Sequence, residues 1–181
     1  MTAMQATTSD TDDLIARHRI EAEGWSRTAR EDALARATAM GLPQRRDEYW
    51  KYTRPDSLTA AEPVAAALLK SDEAPLFDGM DRLKLVFVDG VFDTDASDDL
   101  SQEGLEIELL SRAEGDLHWA RDLYGALEAR GQKPVERPLA AVNTAFAKEG
   151  VLIRVTGKVS RPVNLISVSY THLTLPTNRE V

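Results

Sequence analysis

The order in which its patterns arrive constrains this chain more than any single motif. Helical periodicities come first, a mixed stretch follows, and β-type patterns accumulate toward the end. A nucleotide-binding sheet would instead alternate strand and helix regularly. The order predicts an α+β fold in which strands are still arriving at residue 168.

The helices are read from spacing and punctuation. Residues 1–11 are rich in Thr, Ser and Asp and read as a disordered lead. Thr11 is the expected N-cap of a first helix, with Asp12 and Asp13 in its first turn and Leu14, Ile15, His18 and Ala22 along one side. A second helix is predicted from Arg27 to Met40, with Ala29, Ala33, Ala37 and Met40 on one face, stopped by Gly41 and Pro43. Pro63 is placed to open a short helix through Leu69. Glu114 to Arg130 is predicted helical, with Leu117, Tyr124 and Leu127 on one side and Gly131 ending it. Pro138 to Lys148 is predicted to form another helix, stopped by Gly150.

The strands carry a period of two or a β-rich run. Leu83 to Val88 is apolar, Asp89-Gly90 is a turn pair, and Val91-Phe92 resume strand character. Asp93 to Asp99 reads as an acidic loop. Leu105, Ile107 and Leu109 alternate with Glu106 and Glu108, the pattern of a half-buried strand. Val151–Val155 and Val163–Val168 complete the set. There is no internal repeat and no clear linker.

Composition removes whole classes of function. Lys and Arg number 22 against 30 Asp and Glu, a net charge of −8 over 181 residues. Such a chain has no electrostatic reason to seek a phosphate backbone. Its apolar runs fall far short of the ~20 residues a membrane helix needs. Met1 to Asp13 has the character of neither a signal nor a transit peptide. With no cysteine there is no disulfide, thiolate ligand or cysteine nucleophile. The expectation is a soluble cytoplasmic protein.

Each candidate for chemistry meets a plainer reading. Gly150 to Lys158 ends in Gly-Lys, but a phosphate loop needs four residues between its glycines and Ser or Thr after the lysine. Six residues intervene here and Val159 follows, so a β-turn is the better reading. Asp93, Asp95 and Ser97 have the spacing of the first ligands of a calcium loop. That loop also needs glycine sixth and glutamate twelfth, where this chain has Asp98 and Gly104. His18, His118 and His172 sit in separate contexts with no second ligand at helical spacing, against the converging set a zinc site requires. His18 reads as a helix-flank residue and His118 with Trp119 as a helix-edge pair. No serine lies in a Gly-x-Ser-x-Gly elbow. Arg45 to Arg54 interleaves cations with aromatics, as single-strand nucleic-acid grooves do. Asp47 and Glu48 inside the run favour a loop whose Tyr49, Trp50 and Tyr52 anchor it to the helices. Composition and spacing assign no catalytic, cofactor-binding or metal-binding residue.

Three stretches together resemble the SufB/SufD family of iron–sulfur cluster assembly proteins. Gly41-Leu42-Pro43-Gln44-Arg45-Arg46-Asp47-Glu48-Tyr49-Trp50-Lys51-Tyr52-Thr53 is similar to a Gly-Leu-Pro…Trp-Lys-Tyr-Thr segment near the start of its SufD-type members. Leu85 to Phe92 resembles a strand–turn of that family. Leu139 to Ala147, Gly150-Val151 and Arg161-Pro162-Val163 resemble the passage into its core. The resemblance runs from about residue 12 to 168. It implies an N-terminal helical/mixed domain over 12–135, followed over 136–168 by the first strands of a right-handed parallel β-helix. It further implies a non-enzymatic SufD-like subunit of a scaffold complex, partnered by a SufB-like paralogue and a SufC-like ABC ATPase. The absence of cysteine fits the SufD type better than the SufB type.

The family's proteins are longer than this chain, which is expected to be a truncated N-terminal part. Ser169 to Thr177 is similar to a translated sequencing-adapter tail, so residues 169–181 are expected to be non-native and His172 leaves the ligand list. On this reading the fragment binds no cluster of its own, and the iron–sulfur cluster is handled by the full complex. A carbohydrate-active β-helix enzyme and a stand-alone α+β interaction domain are the alternatives.

Overall fold

The computed structural model describes residues 11–20, 24–44, 47–52, 55–59, 77–113, 115 and 118–168. Residues 1–10 of the expected lead, the helix from Pro63, the tail from 169 and His172 all lie outside them. The chain divides into two units, each assembled from two separated stretches: Met1–Glu62 with Ala113–Lys148, and Pro63–Arg112 with Glu149–Val181.

The first unit is helical. Its elements are α1 (residues 11–17), a 3-10 turn at Gly24–Ser26, α2 (Arg27–Met40), a second 3-10 turn at Glu48–Trp50, α3 (Asp56–Thr59), α4 (Ala126–Arg130) and α5 (Pro138–Phe146). The seam between α2 and α5 is made of alanines at helical spacing: Ala33 and Ala37 on one helix, Ala141 and Ala145 on the other, all buried. Small side chains four apart let two backbones approach closely and leave no room for a larger residue. Leu14, Trp25 and Ala120 add the bulkier part of this core. Gly41 ends α2 with φ at 73°, and its N–H donates to the Ala37 carbonyl at 3.0 Å, as the Gly-Leu-Pro stop predicts. The Leu42 N–H then donates to Thr11 Oγ1 at 3.1 Å, which ties α1 to the end of α2. Pro138 occupies the first turn of α5, where its missing donor leaves no bond unmade.

The predicted helix over 114–130 is corrected by the structure. Among the described residues of that stretch only Ala126–Arg130 is helical, and residues 119–125 form successive turns. Gly125 has φ at 72°, a left-handed value through which a right-handed helix cannot run. The Ala120 N–H is taken by His118 Nδ1 at 3.1 Å, and the Arg121, Leu123 and Ala126 donors close bonds three residues back. Leu127, expected on the packed side, is 80 % exposed.

The second unit carries the five strands found among the described residues. β1 (Leu83–Val88) lies between β2 (Val91–Phe92), antiparallel to it, and β5 (Val163–Val168), parallel to it with Leu83 opposite Val163 and Val88 opposite Val168. β3 (Leu105–Leu109) and β4 (Val151–Val155) form a separate antiparallel pair. Leu83, Leu85 and Val86 of β1 and Leu109 of β3 are its buried apolar side chains. Asp89 and Gly90 both have positive φ, 49° and 81°, the geometry of the two-residue turns that match strand twist.

The α+β class is what the described residues show. They do not show a β-helix: β4 and β5 follow one another yet enter different sheets, and β4 runs antiparallel to its neighbour. One parallel pair, β1 with β5, joins strands far apart in sequence.

Candidate functional site

The segment after α2 is set by its own side chains. Asp47 Oδ2 accepts the Gln44 N–H at 2.7 Å, while the Asp47 and Trp50 N–H groups close turns onto Gln44 and Asp47, each at 2.9 Å. One acid of the cationic and aromatic run is therefore held as a local turn cap. Beyond it the aromatics do not anchor the loop as expected. Tyr52 is 90 % exposed with Lys51 Nζ 5.3 Å from its ring centre, and Tyr49 is 59 % exposed. Trp50 alone is half-buried, edge-on to Tyr49 at 6.2 Å. The fully buried anchor is Pro55, which the sequence reading overlooked. Arg45, Arg46, Thr53 and Arg54 lie outside the described residues.

Tyr49 meets Arg137, whose guanidinium stands 5.7 Å from the ring centre. Arg137 is placed by a chain of polar contacts. Its N–H donates to Gln132 Oε1 at 2.6 Å, Gln132 Nε2 donates to Glu128 Oε1 at 2.5 Å, and Glu128 Oε2 pairs with Arg36 Nη2 at 2.5 Å. Glu128 and Arg36 are 92 positions apart, and no local pattern marks either residue.

A second aromatic cluster sits at the heart of the same unit. Trp25 stacks on His118 with ring centres 4.6 Å apart and planes 20° from parallel, and it meets Tyr124 edge-on at 5.7 Å. Trp25 Nε1 donates to the Ala113 carbonyl at 2.9 Å. Tyr124 donates its hydroxyl proton to the Thr144 carbonyl at 2.7 Å. Burial pushes the Tyr124 phenol above its ordinary value, against the pull of the Arg30 cation lying 5.1 Å from its ring centre. Arg30 is itself buried. It donates to Ser26 Oγ at 3.2 Å and to the carbonyls of Ala145 and Ala147 at 3.3 and 2.7 Å. These are carbonyls at the end of α5, so the cation sits where the helix dipole is negative.

Among the described residues, His18 and His118 join no group of metal ligands. His118 stacks on Trp25 from an irregular segment instead of lying on a helix edge, and its Nδ1 accepts a backbone N–H. It lines an open pocket of about 410 Å³ with Trp119, Arg121 and Asp122. His18 follows α1 and lies 5.2 Å from the Phe146 ring. Among the described residues, no three of His, Cys, Asp and Glu gather as a metal would need.

The acidic loop is bound to the sheet. β2 pairs with only the last two residues of β1, and the loop continues the ladder along the same edge. Ser97 Oγ accepts the Val86 N–H at 2.9 Å, and Asp98 Oδ2 accepts the Lys84 N–H at 2.7 Å. In return the Asp93 and Asp98 N–H groups donate to the Val86 and Lys84 carbonyls. Asp93 Oδ1 accepts from the Asp95 and Ala96 N–H groups, each at 3.0 Å. Calcium-like spacing here serves to cover a strand edge that would otherwise recruit another chain. Gly157 and Lys158 belong to a turn closed on Gly104, whose carbonyl accepts the Thr156 N–H at 2.8 Å. No phosphate cradle forms there.

No protein-family model matches the chain. In an alignment 135 positions long that covers 66 % of the chain, it is 31 % identical to the iron-sulfur cluster assembly protein SufD of Escherichia coli (strain K12). The matched part is 32 % of that protein, so the chain spans about a third of the length of the relative it matches. No helix among the described residues is long and apolar enough to cross a membrane. The match supports a relation between this chain and the SufB/SufD proteins.

Proposed function

We propose that this chain is part of a SufD-like subunit that works in iron–sulfur cluster assembly as a non-enzymatic component of a cytoplasmic scaffold complex. The 31 % identity to a SufD protein over 135 residues carries the reading. Two features agree with it. The chain offers no thiol, the chief ligand of such clusters, so its contribution is to assembly and not to ligation. Arg30, Glu128 and Asp98 are engaged in internal bonds. On this reading residues 136–168 hold the first strands of a right-handed parallel β-helix, as the resemblance implies. The partners are a SufB-like paralogue and a SufC-like ABC ATPase.

The test is co-expression of the full-length gene product with the SufB-like and SufC-like proteins of the same source. A complex that survives gel filtration and contains the ATPase is expected. A full-length product that elutes alone at every protein ratio would overturn the proposal. The isolated 181-residue chain, given iron and sulfide without oxygen, is expected to show no cluster absorption band after desalting.

A further inference from the structure

Arg82 stands immediately before β1, and only 6 % of its side chain is exposed. Its Nε and Nη1 are buried and have no hydrogen-bond partner. The remaining nitrogen, Nη2, lies 3.5 Å from Asp78 Oδ1, beyond the distance of a charge-assisted hydrogen bond. Asp78 is 67 % exposed at its side chain, so water screens that contact. Arginine cannot shed its proton, and a buried guanidinium with unmet donors is a state that folded proteins avoid.

We infer that Arg82 is a receptor for an oxyanion, a carboxylate or a phosphate, held at the start of the β1–β5 pair. The group that answers a cationic set of donors with no acceptor is one with several acceptor oxygens and a negative charge. Asp78 is the gate on this reading: its loose, exposed contact yields to an incoming oxyanion that reaches hydrogen-bonding distance. Arg161 gives an internal comparison. It precedes β5 at the same end of the pair and lies 3.6 Å from the exposed Asp81, but its side chain is one-third exposed and none of its nitrogens is an orphaned buried donor.

The experiment is thermal unfolding of the whole chain in sodium phosphate, sodium acetate and sodium chloride at matched ionic strength. A saturable rise in Tm of about 3 °C or more over chloride is expected for one of the two oxyanions. The acetate arm distinguishes a carboxylate ligand from a phosphate. Arg82→Met should abolish the rise, while Arg161→Met should keep it. An equal rise in Arg82→Met means an adventitious ion only, and the inference fails. It fails equally if neither oxyanion exceeds chloride, because water then meets the donors. Should Arg82→Met not fold, the arginine Nε–H resonances of the unsubstituted chain report instead. One of them is expected to shift saturably with the oxyanion and to be absent in Arg82→Lys, and no shift at any concentration overturns the assignment.

Discussion

Arg30 Nη1 donates to the carbonyl of Ala147 at 2.7 Å across 117 positions of sequence. This bond, with those to Ala145 and Ser26, makes a side chain of α2 the cap of α5. Replacing it by methionine keeps most of the packing and removes the donors. Arg30→Met should destabilise the chain by about 3 kcal/mol, given the strength of hydrogen bonds from charged groups and the orphaned carbonyls. The check is a lower urea midpoint with an unchanged slope. A change below about 0.5 kcal/mol would show that water takes over the capping.

Tyr124 predicts a loss of stability in alkali. Burial raises its folded value above the ordinary 10.0, while the unfolded phenol titrates normally. Above pH 10.0 the unfolded chain releases the proton that the folded chain keeps, so stability falls as pH rises toward the folded value. Below pH 10.0 the contribution is fully present. Tyr124→Phe should flatten this part of the pH profile and cost about 1 kcal/mol at neutral pH for the bond to Thr144. An unchanged alkaline slope in the phenylalanine variant would sink the assignment.

Gly104 is fixed by close approach. A Cβ there would lie 2.6 Å from the Lys158 carbonyl oxygen, and its φ is +79°. Gly104→Ala should destabilise by about 3 kcal/mol through backbone strain and overpacking together. At Gly157 the same addition meets only Gly104 Cα at 3.5 Å, an ordinary contact, so Gly157→Ala should cost much less. Equal effects in chemical denaturation would refute the difference.

The aromatic segment should separate stability from surface. Trp50→Ala is expected to cost about 2 kcal/mol, in line with a half-buried ring. Tyr52→Ala should change stability by less than about 0.5 kcal/mol. A large destabilisation by the tyrosine variant would restore its role as an anchor.

Ser97 is the simplest probe of the covered strand edge. Its hydroxyl accepts from Val86 N–H and donates to the Asp93 carbonyl at 2.6 Å. Ser97→Ala should cost about 2 kcal/mol by orphaning a backbone donor. Faster amide hydrogen exchange at Val86 than at Val88 is the corresponding local readout.

What could be read in advance was local. Gly41 with Pro43, the Asp89-Gly90 turn, the strand Leu105 to Leu109 and the alanine face of α2 each rest on spacing within a few residues; the stop, the turn and the strand formed where expected, and of the predicted face Ala33 and Ala37 are buried while Ala29 and Met40 are half-buried. The failures share a different cause. Tyr124 and Leu127 have helical spacing, but Gly125 between them takes a left-handed φ and breaks the helix. Tyr49 and Tyr52 have apolar bodies, yet nothing in the sequence shows that Pro55 takes the buried place nearby. The contacts of Arg30 with Ala147 and of Arg36 with Glu128 depend on which distant segments meet, which no local period encodes. Arg82 was invisible for the same reason, since burial of a lone arginine is a tertiary fact.

The parallel pairing of β1 with β5 also orders events during synthesis. Residues 89–162 must be made before Val163 can take its place beside Leu83. At ordinary ribosomal speeds that interval is on the order of ten seconds, long beside the microseconds in which a hairpin such as β1–β2 closes. Throughout it the β5 side of β1 has no partner strand, and the apolar face of Leu83 and Leu85 is incompletely covered. Until then the half-made chain carries one unpaired edge of β1, while β2 and the acidic loop are placed to cover the other.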